Sequence, residues 1–269
     1  MPLIDIGSGP LIILVPGIQG RWEYLEPCIA ALSRSFRVLT FPLRGEHGAD
    51  ALFDNAAGIE SYARQIEAAL DAVGAERAAI CGISFGGLAA VRFAATRPDR
   101  TTAIVLASTP GPHWHLRGRH QVYARAPWFF GPLFLAESPF RLHRELAATF
   151  PNLAARWRFA RWQLKALLRA PLSPNRMATR AALIPGDRLS DDCSRVTSPV
   201  LVITGERDLD RVVPVRSTIE LQSLIPGAQH QTLRRTGHLG TITRPDTFAE
   251  LVRTFLERRT LTRAVDDVA

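Results

Sequence analysis

The sequence has few cysteines and no hydrophobic run long enough to cross a membrane. Its 269 residues include three cysteines, Cys28, Cys81 and Cys193. Their odd number and wide spacing fit neither a disulfide framework nor a zinc pattern, so we expect reduced thiols. No apolar run reaches the roughly 18 residues of a spanning helix. The first ten residues lack the basic and apolar regions of a signal peptide. We therefore expect a cytoplasmic protein.

Acidic residues are scarce in one part of the chain. The net charge is +8, and Lys165 is the only lysine, so almost all of the base is arginine. Residues 112–188 hold twelve arginines and Lys165 against three acidic residues, a net charge of +10, which leaves −2 for the rest. No nucleic-acid-binding motif accompanies this charge, so we do not expect a nucleic-acid partner. With 46 % hydrophobic and 22 % charged residues, the composition is that of a globular protein.

Short apolar runs alternate with helical patterns along most of the chain, which is typical of a parallel α/β sheet. The predicted strands are Leu3–Ile6, Leu11–Val15, Arg37–Phe41, Ala78–Cys81, Ala103–Ala107, Pro199–Thr204 and Gln231–Leu233. Residues 110–195 break the alternation with helical patterns rich in proline, arginine and aromatic residues. A loop of that length is implausible. We therefore predict an α/β core over residues 1–109 and 196–269, with a helical cap inserted over residues 110–195.

One motif points to nucleophilic chemistry. Gly82-x-Ser84-x-Gly86 lies directly between a predicted strand and a predicted helix. There the chain has to turn sharply, which strains the serine backbone and exposes its hydroxyl. The flanking glycines let the strand and the helix approach each other closely. We predict that Ser84 is a nucleophile.

A serine nucleophile needs a base and an orienting acid. His238 lies in a glycine-flanked loop after the last predicted strand, and it is the candidate base. For the acid, two spacings compete after the strand that ends at Thr204. Counting forward from Gly205 selects Asp208, whereas counting back from the Val-Pro pair selects Asp210. We favour Asp210, because it keeps the spacing into the next helix, and keep Asp208 as the alternative.

The same chemistry needs two backbone N–H donors for the developing oxyanion. The candidates are the N–H of Phe85, directly after the nucleophile, and that of Ile18, in the loop after the strand Leu11–Val15. His113-x-His115 could begin a metal site, but no carboxylate cluster accompanies it. We expect no metal and no organic cofactor.

These residues belong to a set of motifs through which nearly the whole chain resembles the α/β-hydrolase superfamily. The motifs are PGIQG (16–20), FPLRGEHG (41–48), CGISFGG (81–87), LVITGERDLDRVVP (201–214) and RTGHLG (235–240). The resemblance implies an open, mostly parallel sheet with helices on both faces and a cap. The cap follows the strand that comes after the helix behind Ser84, whose turn is called the nucleophile elbow in this superfamily. The serine at the elbow separates the chain from the similar dehalogenase and epoxide-hydrolase branches, which use aspartate. Many members carry His-Gly where this chain has Pro16-Gly17.

Arg156–Arg169 has the spacing of a basic amphipathic helix. One predicted face carries Trp157, Ala160, Leu164, Leu167 and Leu168, and another carries Arg158, Arg161, Lys165 and Arg169. We favour a helix that packs its apolar face on the core and leaves its arginines in solvent. A contact with a membrane surface and the recognition of an anionic substrate group also fit this pattern. The aromatic residues Trp128, Phe129, Phe130 and Phe134 fit a substrate pocket and a cap core equally well.

The sequence therefore predicts a serine hydrolase that cleaves a carboxylic ester or a related acyl bond of a small molecule, one with an apolar body and an anionic group. Hydrolysis of carbon–carbon, lactone or amide bonds on the same triad remains open. Two functions of a different class also stay open at this point. One is a non-catalytic, ligand-binding member of the fold, and the other is a protein that uses the cap at a membrane surface.

Overall fold

The structure, a computed structural model, describes residues 3–46, 56–116, 118–184 and 187–266. The strands in these ranges form one sheet with the order β1-β3-β2-β4-β5-β6-β7. They are β1 (Ile4–Ile6), β2 (Leu11–Val15), β3 (Arg37–Thr40), β4 (Ala78–Ile83), β5 (Thr101–Ala107), β6 (Val200–Thr204) and β7 (Gln229–Thr232). Strand β1 pairs antiparallel with β3, and the other neighbouring pairs are parallel. The predicted open, mostly parallel sheet is confirmed.

The helices cover both faces of this sheet. They are α1 (Glu26–Leu32), α2 (Ile59–Ala72), α3 (Phe85–Thr96), α4 (Arg119–Arg125), α5 (Pro127–Ala136), α6 (Ser138–Thr149), α7 (Leu153–Arg169), α8 (Pro174–Ala182), α9 (Asp187–Arg195), α10 (Val215–Leu224), α11 (Gly240–Thr243) and α12 (Pro245–Asp266). Helices α2, α3, α9 and α10 share one apolar cluster with the sheet, and α1, α11 and α12 share the other. No helix within the described ranges is long and apolar enough to span a membrane.

The burial of the strands follows from these two layers. Strands β4 and β6 are buried along their whole length, because a parallel sheet covered on both faces exposes neither set of side chains. Strand β7 is a polar edge strand, mostly exposed, as befits a strand with an unpaired side. One predicted strand begins elsewhere: β7 begins two residues earlier than expected.

Helices α4 to α9 connect β5 to β6, over the segment predicted to form the cap, and the name cap is kept for residues 110–195. Helix α9 contributes buried residues to the core, because Leu189 and Cys193 lie in the same buried cluster as α2 and α3. Asp192 of α9 also pairs with Arg92 of α3 at 2.9 Å. The last helix of the predicted cap therefore packs with the core. Residues 117, 185 and 186 of the predicted cap, and His47 and Gly48 of the FPLRGEHG motif, lie outside the described ranges.

The predicted basic helix is α7, but it turns a different side to the core. Phe159 and Trp162 pack against the core cluster, and Ala166 is buried. The indole N–H of Trp162 also donates to Glu26 at 3.3 Å. Four of the five side chains that were predicted to pack on the core are exposed: Trp157, Ala160, Leu164 and Leu168. The prediction was wrong because two large aromatic rings on another side of the helix fill the available space.

Candidate active site

Ser84 lies at the turn between β4 and α3. Its backbone angles are φ 52° and ψ −119°, a conformation that side-chain-bearing residues rarely adopt. The neighbouring glycines allow the turn to pass close to other backbone. A Cβ atom on Gly86 would lie 2.3 Å from the carbonyl oxygen of Val15, and one on Gly82 would lie 2.4 Å from Cα of Gly87. The serine is therefore held in a strained turn that only glycine neighbours permit.

His238 and Asp210 are paired at the ends of neighbouring strands. Nδ1 of His238 lies 3.3 Å from Oδ2 of Asp210. The other oxygen of Asp210 accepts the backbone N–H groups of Val212 at 3.0 Å and Val213 at 2.9 Å, which fixes the carboxylate in place. Asp210 is buried, whereas Asp208 is exposed. Of the two candidate acids, the structure therefore brings Asp210 to the histidine.

Glycines also explain how the acid loop and the histidine loop meet. A Cβ atom on Gly237 would lie 2.7 Å from the backbone nitrogen of Asp210 and 2.5 Å from the carbonyl oxygen of Leu209. A Cβ atom on Gly205 would lie 2.5 Å from the carbonyl oxygen of Gly237. Because no side chain separates the two loops, their backbones can pack directly against each other. This contact places Asp210 beside the ring of His238.

A buried carboxylate from the cap, Glu145 of α6, supports the histidine loop. Its Oε1 accepts the hydroxyl of Thr236 and the N–H of Leu239, each at 2.8 Å. Burial raises the pKa of Glu145, and these hydrogen bonds oppose that rise. Burial alone would lower the pKa of His238, but the carboxylates of Asp210 and Glu145 outweigh it and raise this pKa above its usual value. The loop thus holds an imidazole that binds a proton more readily than usual.

A cavity of about 870 Å³ joins the predicted nucleophile, base, favoured acid and oxyanion donors. Ser84, His238, Asp210, Ile18 and Phe85 contribute to its wall. Among the described residues there is no hydrogen bond between the Ser84 hydroxyl and His238. Such contacts are often long in ligand-free enzymes and tighten when substrate binds. The N–H groups of Ile18 and Phe85 also have no acceptor within the described ranges, so both are open to an incoming oxyanion.

A buried arginine from the cap holds the loop that contains Ile18. Arg180 of α8 is 1 % exposed. Its guanidinium donates to the carbonyl oxygens of Ile18 at 3.0 Å and Arg44 at 3.2 Å, and it pairs with Glu46 at 2.7 Å. A Cβ atom on Gly20 would lie 2.4 Å from the same guanidinium. The arginine therefore ties the cap to the loop that presents the Ile18 N–H.

Sequence reasoning did not find Arg180, Glu46 or Glu145. Arg180 is one of twelve arginines in its segment, and nothing in the sequence separates a buried arginine from an exposed one. Glu145 carried a weak signal, because it is one of three acidic residues between positions 112 and 188. An isolated carboxylate in a basic segment is a reasonable candidate for a buried partner.

The cap contributes an apolar wall with a few polar groups. The apolar part includes Phe134, Leu135, Leu142, Met177 and Ile184. Of the four aromatic residues that fit a substrate pocket and a cap core equally well by sequence, Phe134 lines the cavity, whereas Trp128 and Phe129 are exposed. Arg141 lines the cavity with its guanidinium 4.2 Å from the ring centre of Phe134. Two further arginines, Arg211 and Arg216, line it beside the acid loop.

The described residues contain no group of three or more histidine, cysteine, aspartate or glutamate side chains that could hold a metal ion. Of the candidate His113-x-His115 pair, His113 contacts the carboxylate of Glu220 through its Nδ1. Cys28, Cys81 and Cys193 are buried and unpaired.

Comparisons with known proteins agree with this architecture. The sequence model of the α/β hydrolase fold matches residues 10–245. RutD from Escherichia coli, which is named as a carbamate hydrolase, is 28 % identical over 259 residues that cover 91 % of this chain and 90 % of RutD. The crystal structure of an enol-lactonase from Burkholderia xenovorans is similar with a TM-score of 0.75 and 24 % identity, covering 95 % of this chain and 96 % of the other. An esterase from Exiguobacterium antarcticum has a TM-score of 0.77 at 17 % identity, covering 95 % and 94 %.

Proposed function

This chain belongs to the α/β hydrolase fold family, and we propose that it is a serine hydrolase that cleaves a carboxylic ester or a related acyl bond. The observation that carries the proposal is one shared cavity. Ser84, in its strained turn, and the His238–Asp210 pair both line it. A nucleophile, a base and an acid that orients the base are the components of this reaction.

In the proposed reaction, the Ser84 hydroxyl attacks the acyl carbon while His238 removes its proton. Asp210 holds the Nδ1–H of the imidazole and stabilises its charged form. The N–H groups of Ile18 and Phe85 donate to the oxyanion. The protonated His238 then gives its proton to the leaving group, which leaves an acyl-enzyme. Water, deprotonated by His238, releases the acid and regenerates the serine.

The proposed substrate is a small molecule with an apolar body and an anionic group. The apolar cap wall suits the body, and Arg141, Arg211 and Arg216 offer cationic partners along the same cavity. About 870 Å³ accommodates a ligand of moderate size. A lactone is the second candidate, because the similar Burkholderia protein is described as an enol-lactonase. Amide and carbon–carbon bonds remain open on the same triad.

Labelling with a fluorophosphonate probe tests the nucleophile. We expect the wild-type protein to gain one adduct, located on Ser84 by peptide mass spectrometry, and the Ser84→Ala variant to gain none. Ser108→Ala is a matched control, because Ser108 is also buried with a positive φ of 47° at the end of the neighbouring strand. This control should label as the wild type does. A folded wild-type protein that is not labelled would contradict the proposal and favour a non-catalytic, ligand-binding member of the family.

A substrate panel tests the bond and the substrate class. It compares esters of increasing acyl length with lactones, each with and without a carboxylate on the acyl part. We expect kcat/KM to rise with apolar length and to be higher for the carboxylate-bearing member of each pair. Equal kcat/KM values within the pairs would remove the anionic group from the proposal without affecting the serine mechanism.

A further inference from the structure

Helix α7 exposes an apolar stripe that no described residue covers. Its members are Leu153, Trp157, Leu164 and Leu168, with exposed fractions of 69, 68, 56 and 72 %. At 3.6 residues per turn they fall within roughly 60° of the helix circumference and extend over about 22 Å of its length. Single exposed apolar residues are ordinary, but an aligned row of four large ones marks a contact surface.

The side of α7 that faces the protein is already packed. The stripe is therefore a separate surface and not the side through which the helix joins the core. Phe159, Trp162 and Ala166 face the protein. The hydroxyl of Tyr24 donates to the carbonyl oxygen of Ala170 at 2.6 Å just after the helix, and Arg169 pairs with Glu26 at 2.8 Å. These contacts fix the rotation of α7 about its axis. The stripe therefore points away from the fold.

The charges of α7 indicate what the stripe contacts. The helix has five basic residues and no acidic one. Arg158, Arg161 and Lys165 lie beside the stripe, all are exposed, and none forms an ion pair within the described ranges. A second copy would bring this positive helix against a positive surface in a two-fold contact. An anionic lipid surface matches both features, because the apolar row enters the acyl boundary while the flanking cations meet the headgroups.

We infer that α7 docks the protein on an anionic lipid surface through the Leu153–Leu168 stripe and its flanking basic residues. This inference is independent of the proposed hydrolase activity, since binding is measured without turnover. Each basic residue close to an anionic leaflet strengthens binding about fivefold. Removing three of them should therefore weaken it about 100-fold.

Co-sedimentation with vesicles tests the inference. The full chain is mixed with phosphatidylcholine vesicles that contain or lack phosphatidylglycerol. We expect binding to the anionic vesicles only, and less of it at high salt. A stripe variant (Trp157→Ser, Leu164→Gln) should bind at least tenfold more weakly, and a charge variant (Arg158→Gln, Arg161→Gln, Lys165→Gln) about 100-fold more weakly.

Two matched control variants distinguish binding through α7 from nonspecific binding to vesicles. Arg77→Gln, Arg207→Gln and Arg234→Gln together remove the same charge from exposed positions elsewhere. Trp128→Ser with Phe140→Ser removes equally exposed aromatic residues from α5 and α6. Both should bind as the wild type does. Equal losses in the controls and the α7 variants, or equal binding to neutral vesicles, would overturn the inference. Failure of the wild-type protein to bind either kind of vesicle would also overturn it. Dimerisation that is lost in the stripe variant would then point to a second copy as the occupant of the stripe.

Discussion

The buried ion pair between Arg180 of the cap and Glu46 of the core should stabilise the fold, so removing one partner should lower the free energy of unfolding. Their side chains are 1 % and 2 % exposed, and their charged atoms are 2.7 Å apart. At an effective dielectric constant of about 20, the attraction at this distance is about 6 kcal/mol before desolvation is subtracted. Removing one partner of such a pair typically costs about 3–5 kcal/mol, because the other charge stays buried without its partner.

We expect Arg180→Met to fall at the lower end of this range, since Arg176 still lies 3.2 Å from Glu46 and partly neutralises it. The free energy of unfolding, measured in urea, should drop by about 3 kcal/mol. With Glu46→Gln added, the double variant should recover about 1–3 kcal/mol relative to the sum of the single losses. The matched control is Arg169→Met, which breaks a cap–core pair of similar length, 2.8 Å, that is 55 % and 30 % exposed. Its loss should stay below about 1 kcal/mol.

The same variant tests the link to the oxyanion loop. Arg180→Met frees the carbonyl oxygen of Ile18. The N–H of the same residue, which is the proposed oxyanion donor, should then be less well oriented. Deleting an oxyanion donor costs about 100-fold or more in kcat, and loosening one should cost less, about tenfold, in the folded protein. The reasoning would be refuted by equal stability losses for Arg180→Met and Arg169→Met, or by strictly additive effects of Arg180→Met and Glu46→Gln.

The other predictions concern the triad. Asp210→Asn should lower kcat by orders of magnitude, whereas Asp208→Asn should stay near wild type; steady-state kinetics that show the reverse would make Asp208 the acid. Ser84→Gly should be more stable than Ser84→Ala by about 1 kcal/mol, because glycine relieves the positive φ; equal unfolding free energies would mean that the turn stores no strain. Glu145→Gln removes a carboxylate that raises the pKa of His238. Because the protonated imidazole cannot act as a base, the acidic limb of the kcat/KM–pH profile should move to lower pH; an unmoved limb would leave Glu145 a purely structural role.

Much of the architecture could be predicted because it depends on local patterns. Apolar runs such as Leu11–Val15 and Val200–Thr204 form strands because both of their faces are covered. The elbow motif was equally local, since the glycines that a sharp strand-to-helix turn needs lie next to Ser84 in the chain.

Local sequence does not decide between Asp208 and Asp210. Both lie in one loop, and the spacing arguments disagreed by two residues. The folded structure favours Asp210, because its carboxylate accepts two N–H groups of its own loop and the Gly237 backbone packs beside it. Loop conformation, which spacing does not encode, made that difference.

The sequence by itself determined the α/β alternation, the elbow serine, the candidate histidine and the concentration of positive charge in one segment. Only the tertiary structure decided which charges are buried and which face of α7 is free. Arg180 and Arg158 are the same residue type in the same basic segment, yet one is enclosed beside Glu46 and the other is exposed. The reason is physical: hydrophobic periodicity reports that a helix has an apolar side, whereas the side that packs depends on which neighbours fill the space. In α7, Phe159 and Trp162 fill it, and the Leu153–Leu168 stripe is left outside.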